Sequence, residues 1–365
     1  MENNNLDFRP KSFDDVMGQD EIKEYLKIKI SAFRKSGMTV GHILFLGISG
    51  VGKTTLANVM ANEMKVGFRQ IMATRIKNWN DFYAIIKTIE ENDIVFIDEI
   101  HALSPKIQEH LYGVMEDFTC TIEDKNLEKP IVRKLPKFTL IGATTHSGQL
   151  NAPLLSRFQY KGQLIPYSQQ DLKNMVINAG KRVYGVTLPN DIAAMIARLS
   201  RQTARTCYNL LRSYMDVVEA EYPGKIKSDM LTMELLYKTL RLEQIDPIVG
   251  LDYVSRKYLV TLLRDNAPLG SRSLSSMINE QENTLLYMVE PFLFSEIELG
   301  YKSKDGYVVK KGPFSRITKK GRVATESAYK YIKLCHSLQD KGWFNNESLD
   351  IDLKRNENAS KAIDF

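Results

Sequence analysis

The run from Ile43 to Met64 limits the fold more than any other part of the chain. Four apolar residues, Ile43 to Leu46, lead into Gly47-Ile-Ser-Gly-Val-Gly-Lys53-Thr54 and then into a helical pattern. This is a complete GxxxxGKS/T loop in its required setting, with a strand before it and a helix after it. Gly50 and Gly52 let the backbone turn successive N–H groups onto phosphate oxygens. Lys53 then reaches the β- and γ-phosphates, and the Thr54 hydroxyl is placed to ligate Mg²⁺. The helix that follows points the positive end of its dipole at the same phosphates. A chain with this segment is expected to bind ATP with Mg²⁺ at the edge of a parallel α/β sheet.

A second apolar run, Asp93-Ile-Val-Phe-Ile-Asp98-Glu99, ends in two carboxylates 45 residues past Lys53. Unbroken apolar residues suit a parallel strand buried on both faces. Ligands of open α/β sheets bind at the carboxyl ends of such strands. Asp98 is therefore expected to hold the metal's water shell and Glu99 to polarise the attacking water. Alone, a strand-end Asp-Glu is more often an ordinary turn; beside the phosphate loop it makes ATP hydrolysis the reading. A third strand, Phe138 to Thr145, ends in small polar residues, and Thr145 is placed to sense the γ-phosphate or orient the water. Strands alternating with helical sequence predict a doubly wound parallel sheet.

At 365 residues the chain exceeds one ordinary core, so two or three domains are expected. No apolar run approaches a bilayer span, and the start lacks the layout of a signal peptide. Cys120, Cys207 and Cys335 are few, odd in number and far apart, which argues against a disulfide framework and for a reduced, cytoplasmic setting. Net charge is +6, but its distribution says more: between Lys302 and Arg322, eight Lys and Arg face a single acid, Asp305. A local basic patch of this kind is what phosphate contacts require.

Several phrases, in order from about residue 8 to 335, resemble the RuvB-type Holliday-junction branch-migration ATPases of the AAA+ class. They include Met17-Gly18-Gln19, Phe96-Ile-Asp-Glu-Ile-His101, Met115-Glu-Asp-Phe118, Gly142-Ala-Thr-Thr145, Ala152-Pro-Leu-Leu-Ser-Arg-Phe158, Glu290-Pro-Phe-Leu293 and Gly321-Arg-Val-Ala-Thr325. The resemblance implies a hexameric ring that hydrolyses ATP at subunit interfaces and pumps duplex DNA arms through a four-way junction. It makes Arg157 an arginine finger for the neighbouring subunit, a role suited to a planar guanidinium facing developing charge. Arg205 becomes the lid arginine that contacts the γ-phosphate. Phe8, Arg9 and Tyr167 match positions around the adenine, Thr55 joins the phosphate loop, and Glu116, Asp117 and Phe118 match a further nucleotide-proximal segment.

The same resemblance implies an AAA+ large domain over 1–161, a small helical lid over 162–246 and a winged helix over 247–336, with a polar tail over 337–365 expected to lack fixed structure. Asp246-Pro-Ile-Val-Gly250 reads as a linker, and Asp305-Gly306 as the turn of a basic wing hairpin. Arg316 and Arg322 align with DNA-contacting arginines, with Lys319 and Lys320 in support.

Three departures stand out. The lid phrase is Gln202-Thr-Ala-Arg205 where the family usually has Gly-Thr-Pro-Arg. The phosphate loop carries Ile48-Ser49 in place of two prolines. Residues 121–130, in the family a hairpin with an apolar tip that docks on RuvA, are short and charged here, and a charged tip is a poor apolar knob. Partnership with an ordinary RuvA is therefore not expected. A clamp or helicase loader, or a nucleotide-gated DNA-binding regulator, would use many of the same residues; sustained translocation distinguishes the motor.

Overall fold

The computed structural model describes residues 8–37, 39–122, 131–224, 226–265, 267–303, 306–339, 343–344 and 349. The charged tip at 123–130, the wing turn at 304–305 and most of the polar tail lie outside the described residues. Contacts divide the chain once, into Met1–Asp171 and Leu172–Phe365.

The first unit holds β1 (Ile43–Leu46), β2 (Phe68–Met72), β3 (Ile94–Asp98), β4 (Thr119–Ile122), β5 (Ile131–Lys134), β6 (Thr139–Thr144) and β7 (Tyr160–Gln163). Its helices are α1 (Asp20–Ser36), α2 (Lys53–Met64), α3 (Trp79–Ile86), α4 (Pro105–Glu116) and α5 (Ala152–Arg157). Five strands form one parallel sheet in the order β2-β3-β6-β1-β7. The central strands are buried over almost their whole length, as their unbroken apolar sequences require. Leu46 pairs with Thr144 and Ile97 with Gly142, so the phosphate loop, Asp98 and Thr144 leave the sheet at one edge. The antiparallel pair β4–β5 stands apart from that sheet, with every residue of β5 exposed.

His42, just before β1, ties the sheet to α4. Its Nδ1 accepts from the Leu140 N–H at 2.9 Å, so Nε2 carries the proton and donates to the Met115 carbonyl at 2.9 Å. The ring is buried, and burial holds it below the ordinary histidine range. His101 is depressed in the same direction. Unfolding exposes both rings to protonation, so the stability they contribute is full above the unfolded value near 6.5 and is lost as pH falls below it. The urea midpoint is expected to drop between pH 7.5 and 5.5; a flat or rising midpoint would contradict this assignment.

The second unit contains α6 (Gln169–Ala179, which starts in the first unit), α7 (Asn190–Leu199), α8 (Ala204–Glu221) and α9 (Met233–Leu242). It continues through α10 (Tyr253–Asp265), α11 (Ser271–Ile278), α12 (Glu282–Thr284), a π-helical turn at Leu285–Val289 and α13 (Glu290–Leu293). Two antiparallel hairpins follow, β8 (Ile297–Ser303) with β9 (Gly306–Gly312) and β10 (Ser315–Thr318) with β11 (Gly321–Ala324), before α14 (Glu326–Gln339). Leu259, Leu274, Leu293, Phe314 and Ile332 are among the residues of one apolar core built by the elements from α10 onward.

The expected linker at Asp246 is instead a buried joint. Its carboxylate accepts from the backbone N–H groups of Ile248 and Val249 at 2.7 Å and from Leu251, while the Tyr331 hydroxyl donates to it at 3.0 Å. Arg256, fully buried, donates to the carbonyls of Leu251 and Gln244. Arg201 pairs with Asp252 at 2.9 Å, and Arg198 donates to the Pro247 and Ile248 carbonyls. Buried polar groups matched in this way hold a segment rigid, which explains why the lid helices and the C-terminal core cluster as one unit. Part of the expected loose tail is fixed as well: Trp343 is buried beside Arg241 and Tyr237 of α9, and Phe344 lies under the Arg256 guanidinium.

All three cysteines are buried, and none is in a disulfide. Among the described residues no helix is long and apolar enough to cross a membrane.

Candidate nucleotide site and basic hairpin

Helix α2 starts at Lys53, directly after Gly52 at φ +99°, with Gly50 at +84° and Gly47 at +145°. Side chains rarely adopt these angles, and on Gly47 a Cβ would also lie 2.7 Å from the Leu164 carbonyl. The N-cap of α2 is Gly52, which has no side chain to cap it, so the first-turn N–H groups, with half-buried Thr54 and Thr55 among them, suit an anion. The buried Lys53 reaches back across the loop, its Nζ 2.7 Å from the Gly47 carbonyl and 3.0 Å from that of Ile48.

Tyr167 closes over this loop. Its hydroxyl donates to the Val51 carbonyl at 3.0 Å, and a Cβ on Gly52 would meet that same hydroxyl at 2.9 Å. Burial pushes the phenol up to about 12, so it stays a neutral donor. Gln19 anchors the segment after β7 that carries Tyr167 by giving and taking a hydrogen bond with the Ile165 backbone. Phe8 is buried and Arg9 exposed.

At the neighbouring strand ends, Asp98 and Glu99 are half-buried, and Glu99 takes a left-handed φ of +50°. The Thr145 hydroxyl lies 3.3 Å from Glu99 Oε2, and His101 Nδ1 lies 3.2 Å from the same oxygen. His101 Nδ1 is also 2.9 Å from Thr144 Oγ1, while His146 Nδ1 is 2.6 Å from Thr145 Oγ1. Sequence reading picked out Glu99 and Thr145 but assigned no role to His101, Thr144 or His146. The two histidines stand within two residues of those picks, which is the signal that was available.

Among the described residues no group of three or more His, Cys, Asp or Glu side chains converges on a metal position. The donors present, one threonine at a helix start and one carboxylate, fit Mg²⁺, which keeps several waters and takes phosphate oxygens as ligands.

The remaining expected residues are placed as follows. Arg157, at the end of α5, pairs with Glu116 of the same chain at 3.0 Å, donates to the Pro153 carbonyl and stacks over the Tyr112 ring. Its Nε is buried, and no hydrogen-bond partner reaches it among the described residues. Asp117 closes the end of α4, and Phe118 packs against Phe138 at φ +50°. Arg205 is exposed in the first turn of α8. Just before it Gln202 holds φ +58°, the angle a glycine takes more readily, and Ala204 stands at the first helical position, which accepts proline.

On the second hairpin, Arg316, Lys319 and Lys320 are exposed, the two lysines forming the tip between β10 and β11. Arg322 differs from its expected place in the phosphate-contacting set. Its guanidinium takes both oxygens of the buried Glu290, and its side chain is only 11% exposed. Its backbone bonds both ways with Leu269, so this residue pins the hairpin to the core.

A family profile described as the Holliday junction DNA helicase RuvB P-loop domain matches residues 8–164, and one described as the RuvB C-terminal winged helix domain matches residues 248–333. The chain is 36% identical over 329 residues to the Holliday junction branch migration complex subunit RuvB of Myxococcus xanthus, covering 89% of each. It is 37% identical to the same subunit from Fusobacterium nucleatum, covering 89% of this chain and 92% of that one. The solved Thermotoga maritima RuvB Holliday junction branch migration motor matches with a TM-score of 0.74 at 31% identity, covering 89% of this chain and 98% of that one.

Proposed function

The chain belongs to the RuvB family of Holliday-junction branch-migration subunits, and from that premise we propose that it works as an ATP-driven motor on junction DNA. Its residues divide the chemistry. The N–H groups from Gly50 to Thr55 and the Lys53 ammonium hold the phosphates at the start of α2. Thr54 and Asp98 would hold Mg²⁺, which would supply neutralising charge to the phosphates. Glu99 accepts the proton of the attacking water, and Thr145 orients the water beside it. Phe8, Arg9 and Tyr167 frame the nucleoside end, and Glu116, Asp117 and Phe118 border the site.

Arg157 acts in a ring, exchanging its Glu116 partner for the γ-phosphate of the neighbouring subunit; Arg205 carries the same signal to the lid. The assembly proposed is the hexameric ring that the family resemblance implies. Arg316, Lys319 and Lys320 contact DNA phosphates, with Arg322 holding their hairpin in place through Glu290. Backbone contacts of this kind carry no sequence preference and weaken with salt.

The observation that carries the reading is Glu99 held beside Thr145 at the edge where the phosphate loop leaves the sheet. The test is ATP-dependent dissociation of a synthetic four-way junction by the purified chain, with linear duplex as control. Junction-specific activity without added protein fits a self-loading motor with a charged hairpin tip. DNA-stimulated hydrolysis with every junction left intact points to a loader instead.

A further inference from the structure

We propose that His101 and His146 are positioning residues for Glu99, each fixing the place of one proton around its carboxylate; this rests on the ATPase reading above. His101 Nδ1 lies between Glu99 Oε2 at 3.2 Å and Thr144 Oγ1 at 2.9 Å. A bare ring nitrogen facing a carboxylate oxygen would set lone pair against lone pair, so Nδ1 carries the proton. Burial keeps this ring below the ordinary histidine range against the opposing pull of Glu99, which leaves one ring proton to place.

Thr145 has a single hydroxyl proton and two neighbours, Glu99 Oε2 at 3.3 Å and His146 Nδ1 at 2.6 Å. If His146 Nδ1 were bare, the closer nitrogen would take that proton and Glu99 would lose a donor. With the proton on Nδ1, His146 donates to Thr145, and Thr145 in turn donates to Glu99. The His146 backbone N–H donates to Thr144 Oγ1 at 2.9 Å, and the two rings meet edge to face at 5.4 Å, so both imidazoles are held in orientation. The two donors thus converge on one oxygen, Oε2. Glu99 Oε1 is left as the oxygen that takes the water's proton, and the carboxylate cannot swing about its χ angles without breaking both bonds.

The test uses two side chains with the same number and branching of heavy atoms at position 146. His146→Asn keeps an N–H donor where Nδ1 stands, and His146→Leu removes it. In the full-length chain His146→Leu is expected to lower kcat for ATP hydrolysis about tenfold with KM for ATP and nucleotide affinity unchanged, the cost of a displaced general base. His146→Asn is expected to recover to within about threefold of the original rate. A merely structural role would lower both variants together, or move KM with kcat. Equal kcat for Leu and Asn in an active wild-type background overturns the proposal alone; a wild-type chain without turnover overturns the ATPase reading and the proposal with it.

Discussion

Glu99→Gln is expected to lower kcat for ATP hydrolysis about a thousandfold while nucleotide still binds, as befits loss of a general base. A thousandfold corresponds to about 4 kcal/mol of lost transition-state stabilisation. The amide matches the carboxylate in shape, so the backbone at φ +50° and the packing around the strand end are undisturbed. What disappears is basicity. Thr145 and His101 direct their protons at Oε2, so a glutamine must present its own oxygen there and its NH₂ group towards the water. That group cannot accept a proton. Fluorescent-nucleotide titration and phosphate release measure the two halves separately. Turnover within tenfold of wild type would remove Glu99 from the role of base and leave the water activated by some other group.

Asp246→Ala is expected to destabilise the C-terminal unit by about 4 kcal/mol, because each stranded buried donor costs roughly 1–3 kcal/mol and partial relaxation recovers some of the total. The carboxylate is fully buried and satisfies three backbone N–H groups and the Tyr331 hydroxyl. Burial pushes the Tyr331 phenol well above its ordinary range, so it remains a donor that needs an acceptor. Asp246→Asn keeps one acceptor oxygen and is expected to fall between. Urea unfolding of the full chain, followed by tryptophan fluorescence, reads the change, since Trp343 lies in the same unit against α9. A loss under about 1 kcal/mol would show that water replaces the carboxylate and that the joint is not what holds this unit together.

The readings that succeeded were local. A glycine loop followed by Lys53 works through backbone conformation within eight residues, and those glycines adopt the positive φ angles expected of them. The apolar runs at β1, β3 and β6 are buried on both faces, and a parallel sheet follows from that burial. The Asp98-Glu99 pair was legible because chain order places it at the end of such a run.

Readings that changed depended on which distant group a charge meets. Arg322 is a cation in a basic stretch that the family resemblance aligns with phosphate contacts; Glu290, 32 residues earlier, takes its guanidinium. Asp246 beside a proline reads as a linker until three N–H groups and Tyr331, 85 residues away, fold around it. The turn from Glu99 to His101 is short, yet only the pairing of β3 with β6 brings His101 to Thr144.

The sequence by itself therefore determined the parallel sheet, the phosphate loop, the carboxylate pair at the end of β3 and the basic character of the second hairpin, since each rests on conformational preference or patterning over a few residues. Only the tertiary structure decided which charges are spent inside the chain, where the rigid joint lies and which side chains surround Glu99. Those outcomes depend on long-range burial, where a polar group must find a partner and the partner is chosen by the fold.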